Sequence, residues 1–505
     1  MKKESLKAGA FVSYIWVFVH FAVNFIYAPL LIKYLGKSEY GLYQVIASFL
    51  AYINVIETSV SSGVLRFYCN ALTKGNQQNI ENILAICRKI YRWLSLITIG
   101  TTGIMIPVFR AFYSSSMATM ELNEGSIMLG LLFANLVVTM ANAIYLAAIR
   151  GNERFVFERT ISMISQILQP VVCFLILGYF PYATVVTCIQ VGLNVLVAFA
   201  RYAYAKKELH VEVRLYDDDR KLAKSILTFA SSMLLSNIAD QIFLKTDQII
   251  LARMYNTAIV AVYAIGSQIY TNYMYAGITI ASVFFSRVSK YYQQDDVLKR
   301  ISDLFIKVGR IAFFLCFLVL TAFIIFGKEF IYLWVGESYL PAYAMAIAVM
   351  IPFTVDVIQN LGLTILQVMN KYSFRAKMYF VAACLNIVST IIMAYFWQGF
   401  GAALSTGLSM FVTSGIILNI YYAKNVGLKI KDFWKSISLI FVKMLPLVAA
   451  CYALNYYFSI KYGWVHFILC ILLYIILFGI YAYFIAMNVD EKEMIKNVKR
   501  KIFKR

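Results

Sequence analysis

The chain has 505 residues, 61% hydrophobic and only 14% charged, with a mean hydropathy of +0.73. Soluble domains carry about 45–50% apolar and about 25% charged residues, so this composition excludes a water-soluble fold around one core. The formal charge of +21 gathers in loops on one side of the apolar segments, which points to anionic lipid headgroups and away from nucleic acid.

The chain opens "MKKESLK" and then runs through more than twenty mostly apolar residues with no small-residue cleavage pattern. Such a run is expected to be a span and not a removed leader. Apolar segments long enough to cross the hydrocarbon recur near 10–33, 41–65, 90–110, 126–148, 159–180, 182–204, 225–252, 258–282, 309–327, 342–368, 377–396, 400–423, 437–458 and 464–488. The longest polar stretches, 66–92, 205–224 and 283–308, are too short for a separate soluble domain. The amino terminus, the loops after even-numbered spans and the tail hold 39 Lys and Arg, against 6 on the other side. Positive residues stay inside, so both termini are expected in the cytoplasm.

Four spans carry polar faces. In span 1, Ser13, His20, Asn24 and Tyr27 share a side; in span 2, Asn54, Glu57, Thr58, Ser61 and Ser62 cluster, with Arg66 near the cytoplasmic end. Span 7 lies within "LLSNIADQIFLKTDQIILARMY" (234–255) and holds Asp240, Lys245 and Asp247. An ionisable group at the bilayer centre costs about 3 kcal/mol on insertion scales. At about 100° per residue, Asn237, Asp240, Gln241, Lys245, Asp247 and Gln248 form one stripe, with Leu235, Ile238, Ala239, Ile242, Thr246, Ile249 and Ile250 opposite, facing lipid. In span 10, Asp356, Asn360 and Gln367 line up, with Gln359 beside them. Asn24, Asn54, Asn237 and Asn360, each taken alone, read first as interhelical hydrogen-bond partners; the charges together suggest a water-filled cavity. The tail "EMIKNVKRKIFKR" spaces Met494, Ile495, Val498 and Ile502 as a helix on the inner leaflet would.

The three His and eight Cys are scattered, with no CxxC pair, so no metal site is expected; no GxxxxGK[ST] motif is present, so neither ATP hydrolysis nor any cofactor is expected. "LLIKYLGKSEYGLY" (30–43) aligns with "IILARMYNTAIVAVY" (249–263) at an offset of 220, and "IRGNERF" (149–155) with "VMNKYSF" (368–374) at 219. A six-span unit keeps its orientation on duplication, so the repeats are expected to be parallel with a site between them. The fold expected is an all-α polytopic membrane protein of about fourteen transmembrane helices: two parallel six-helix lobes (1–224 and 225–430), two further helices (431–489) and a basic cytoplasmic tail (490–505).

Residues 28–70, "APLLIKYLGKSEYGLYQVIASFLAYINVIETSVSSGVLRFYCN", resemble the amino-terminal signature of bacterial polysaccharide (oligosaccharide) flippases of the multidrug/oligosaccharidyl-lipid/polysaccharide exporter superfamily. The resemblance rests on Leu35–Gly36, on Tyr40 to Tyr43 and on Arg66–Phe67; where the family often has Asp-Leu-Gly, this chain has Glu57–Thr58–Ser59. "KTDQIILARMYNTAIVAVYAIGSQI" (245–269) resembles the second-lobe entry, with Asp247 at the acidic position. The resemblance implies alternating access in a bacterial cytoplasmic membrane, moving a polyprenyl-diphosphate-linked oligosaccharide from the inner to the outer leaflet. It implies a proton or sodium ion as a compatible counter-ion, and glycosyltransferases or a polysaccharide polymerase as working partners. Lys245 and Arg66 would meet the diphosphate, with Glu57, Asp240 and Asp247 limiting the affinity and Asn24, Asn237, Gln241, Asp356 and Asn360 lining the cavity. Two rivals stay open: a cation-coupled multidrug antiporter of the same superfamily, and a membrane-embedded glycosyltransferase or polymerase, for which the outer loops 112–126 and 327–343 are short.

Overall fold

The computed structural model describes residues 6–282, 284–292, 296–369, 371–457, 463–494 and 496. Among them the regular structure is helical, with no strand. That follows from the solvent: hydrocarbon offers backbone groups no partner, and a helix satisfies them within one segment.

The first helix, α1 (Leu6–Lys74), has 69 residues, about 100 Å at 1.5 Å per residue, more than three times the hydrocarbon thickness. It is broken at Gly36, whose φ of 76° suits glycine. Its arms, 6–35 and 37–74, correspond to spans 1 and 2. There follow α2 (Gln77–Tyr113), α3 (Thr119–Gly151), α4 (Phe155–Leu177), α5 (Ala183–Lys207), α6 (Arg220–Met254) and α7 (Thr257–Ser282). Polar caps set several of the starts. Asn76 accepts the Asn79 N–H at 3.2 Å, and Asp219 accepts those of Lys221 and Leu222 at 2.9 and 3.0 Å.

After the short α8 (Phe285–Tyr291) come α9 (Val297–Val335), α10 (Ala342–Ile358), α11 (Leu361–Val368) and α12 (Tyr372–Met410), which continues in wider turns to Val426. Non-helical backbone at Trp397 and Gln398 divides this run into spans 11 and 12. Ile430–Tyr457 and Trp464–Ala486 close the series. Nine described helices are long and apolar enough to cross a membrane, or up to eleven when two bent pairs each count as one. Each broken helix adds a second segment, and α7 completes the fourteen. Phe18, Leu196, Phe199, Leu473, Ile476 and Phe484 stand exposed on these helices, as side chains that meet lipid do.

The chain forms two compact units, Met1–Ala264 and Ile265–Arg505. The first unit's core joins Val64 and Tyr68 of α1 to Leu84 and Cys87 of α2 and Ile144 of α3. In the second, the two helices outside the repeat pack on α9: Phe433 lies 4.8 Å from Phe305, and Phe478 lies 6.3 Å from Phe317. The packing division falls later than residue 224 because α6 is bonded to α1. The close stack of Phe157 on Tyr204 at 3.8 Å in the first unit has a counterpart in the second, Phe374 on Tyr421 at 4.0 Å, both partners displaced by 217 residues, in keeping with an internal repeat.

Residues 489–494 are helical, capped by reciprocal 2.9 Å bonds between Asn488 and Glu491. Arg310 of α9 grips Glu491 through both carboxylate oxygens at 2.6 and 2.9 Å. Ile495, Val498 and Ile502 of the expected interfacial helix lie outside the described residues.

Candidate functional site

The polar stripe of α6 meets the second arm of α1 in an antiparallel ladder. Ser48 donates to Gln248 at 2.6 Å, Tyr52 bonds Thr246, and Asn237 donates to Ser59 at 3.1 Å. The paired numbers sum to nearly the same value at each rung, as an antiparallel register requires. Arg66 continues the register, lying 4.7 Å over the Phe229 ring. Asn237 therefore serves helix packing here. Thr246, Ala239, Ile242 and Ile250 are buried in protein, which corrects their expected lipid-facing position. A helix inside a bundle has neighbours on more than one side, and a helical wheel counts only one.

The ionisable members of the stripe separate. Asp247 is 1% exposed and accepts a bond from Tyr263 of α7, so it does not line an aqueous cavity in this structure, contrary to expectation. Asp240 and Gln241 are half-buried. Lys245 is half-buried and makes no ion pair among the described residues. Sixteen residues along α6 separate Phe229, the partner of Arg66, from Lys245, about 24 Å of helix. Arg66 and Lys245 therefore do not form one diphosphate site here; a diphosphate is far shorter than that gap.

Glu57 belongs to a different group. It lies in the field of Arg150 and Arg201, with no ion pair to either among the described residues; both arginines belong to the charges that set orientation. Buried Glu158 lies 2.8 Å from Arg150 and 3.3 Å from Arg159, and Arg159 stacks over Trp16 at 4.5 Å. Glu158 thus ties the start of α4 to the end of α3, and Arg159 ties it to α1. The available signal is Glu158 itself, an acid at the edge of span 5 and in the first turn of α4.

Asn24 has a similar packing role: its amide lies 3.0 Å from His20, and His20 lies 2.6 Å from Gln166 of α4. Tyr27 accepts from Gln169 at 3.1 Å. The span-1 face thus meets a Gln166, Gln169, Cys173 stripe that the sequence also carries. In the second unit Ser414 donates to Asp356 at 2.6 Å, and Arg375, a residue missed from sequence, interacts with that acid. Asn360 is half-buried at the break between α10 and α11.

A family model described as polysaccharide biosynthesis protein matches residues 30–344. No curated protein sequence matches the chain. Among solved structures, the lipid II flippase MurJ in an inward closed conformation aligns with a TM-score of 0.73 at 15% identity, over 93% of this chain and 98% of that one. An inward-facing multidrug resistance MATE family transporter of the MOP superfamily aligns at 0.68 and 13% identity, over 82% and 96%. A MOP superfamily transporter from Pyrococcus furiosus aligns at 0.51 and 12%, over 82% and 93%. At these identities the likeness is one of fold.

Proposed function

We propose a function from one premise: the chain belongs to the polysaccharide biosynthesis protein family. It is a multi-pass membrane protein with the fold shared by flippases and transporters, which leaves the glycosyltransferase or polymerase reading without support. The cargo proposed is a polyprenyl-diphosphate-linked oligosaccharide, carried from the inner to the outer leaflet of a bacterial cytoplasmic membrane by alternating access. The observation that carries the reading beyond the family is Lys245, a half-buried cation in an apolar helix with no ion pair among the described residues. A lone cation at that depth is costly, and an anionic headgroup would offset the cost. Outward movement of a diphosphate also runs toward the positive side of the membrane, worth about 2.3 kcal/mol per net charge per 100 mV.

The test is flipping of a fluorescent lipid-linked oligosaccharide in proteoliposomes with the potential clamped. Lys245→Ala abolishes flipping, Lys245→Arg retains part of it, and Ile249→Ala on the same helix leaves it intact. Normal flipping by Lys245→Ala overturns the reading. The MATE likeness keeps cation-coupled drug antiport as the second reading; uptake of an organic cation without flipping would establish it.

A further inference from the structure

The first unit contains a groove of about 650 Å³ between α2 and the first turns of α6, remote from Lys245. Lys89, Arg220 and Lys224 line it together with Trp93 and Leu227. Trp93 follows Lys89 by one turn, and Leu227 stands about one turn beyond Lys224. Both helices therefore pass from charge to hydrocarbon at the same level, where a tryptophan marks the interface. Trp93 is 62% and Leu227 45% exposed, so the apolar wall is open to lipid.

The charged end is unbalanced. Asp218 is the acid among its lining residues, with Asp217 and Asp219 beside it in the chain and outside the lining, Asp219 as the cap of α6; Asp218 is engaged by Lys89 at 2.6 Å. That hydrogen bond first, and the Arg220 charge after it, hold the Asp218 carboxyl below its usual range. Arg220 and Lys224 make no ion pair among the described residues. Among the lining residues two cations are left over at the headgroup level, above an apolar wall that runs inward.

We propose that this groove is a binding site for an anionic phospholipid, its phosphate held by Arg220, Lys224 and Lys89 and an acyl chain laid along Trp93 and Leu227. Charge complementarity selects the occupant: a zwitterionic headgroup brings its own cation to a place that already has two in excess. A lipid seated there bridges α2 to the start of α6, the helix that carries Lys245. The site stands whatever cargo the protein carries.

The test is native mass spectrometry of the full-length protein titrated with phosphatidylglycerol or phosphatidylcholine. Phosphatidylglycerol is retained more tightly than phosphatidylcholine. Arg220→Ala with Lys224→Ala weakens its retention about thirtyfold, from about 1 kcal/mol per basic residue at a membrane surface. The control, Lys299→Ala with Lys431→Ala, removes two exposed charges elsewhere and has no such effect. Asp218→Asn, which removes the competing acid, tightens retention. The assignment is overturned by equal retention in the paired variant and the control, by unchanged or weaker retention in Asp218→Asn, or by no preference between the two phospholipids. Displacement of phosphatidylglycerol by equimolar polyprenyl phosphate also overturns it, and gives the groove to the transported lipid.

Discussion

Ser48→Ala, Tyr52→Phe and Ser59→Ala together delete the α1 side of the ladder to α6 and barely change side-chain volume. Interhelical hydrogen bonds within membranes average about 0.6 kcal/mol. Three rungs come to about 1.8 kcal/mol, or about a twentyfold shift in the equilibrium between docked and undocked α6. Ala239 of α6 is 0% exposed, so a thiol placed there reacts only when the helix lifts away. In a background without the eight native cysteines, Ala239→Cys is labelled with a membrane-permeant maleimide in lipid. The triple variant should label about twentyfold faster than Ala239→Cys alone, and each single variant about threefold faster. Equal labelling rates would refute the reasoning and show that apolar packing alone holds α6.

Gly41→Ala places a Cβ 1.8 Å from the Thr257 carbonyl oxygen, backbone against backbone, and should cost about 3 kcal/mol or more, read as a lower melting temperature; Gly100→Ala, with nothing within 4 Å, should not. Glu158→Ala removes the buried acid between the partly exposed Arg150 and Arg159; hydrogen bonds to charged groups contribute about 1.5–3 kcal/mol and solvent screening trims that, so the variant should lose thermal stability while exposed Glu208→Ala stays within about 0.5 kcal/mol of the parent. A reporter enzyme active only outside the membrane should be silent when fused after Arg505 and active near Gly125, as the Lys and Arg bias requires.

The number of membrane crossings is legible in the sequence because hydrocarbon thickness fixes a run length, and runs of that length can be counted. Even the loopless junctions show, as the interruptions near Gly36 and Trp397. The polar faces are legible as faces but not as contacts. A wheel drawn for α6 brings Asn237, Asp247 and Gln248 together without revealing that two of them meet Ser59 and Ser48, some two hundred residues away, while the third meets Tyr263. Glu158 and Arg375 escape for another reason. Charges near the end of a span read as interface markers, and only packing distinguishes a side chain that snorkels outward from one that turns in.

The grip of Arg310 on Glu491 also imposes an order in time. The two residues are 181 apart in the chain. At about 5–20 residues per second, ribosomal synthesis leaves about 9–36 s between them. Throughout that interval the guanidinium, buried in the finished protein, lacks its carboxylate. An unpaired charge is expensive in a closed core, so this corner of the second unit has reason to stay hydrated until residues 488–494 arrive. Closure of that corner is therefore paced by translation.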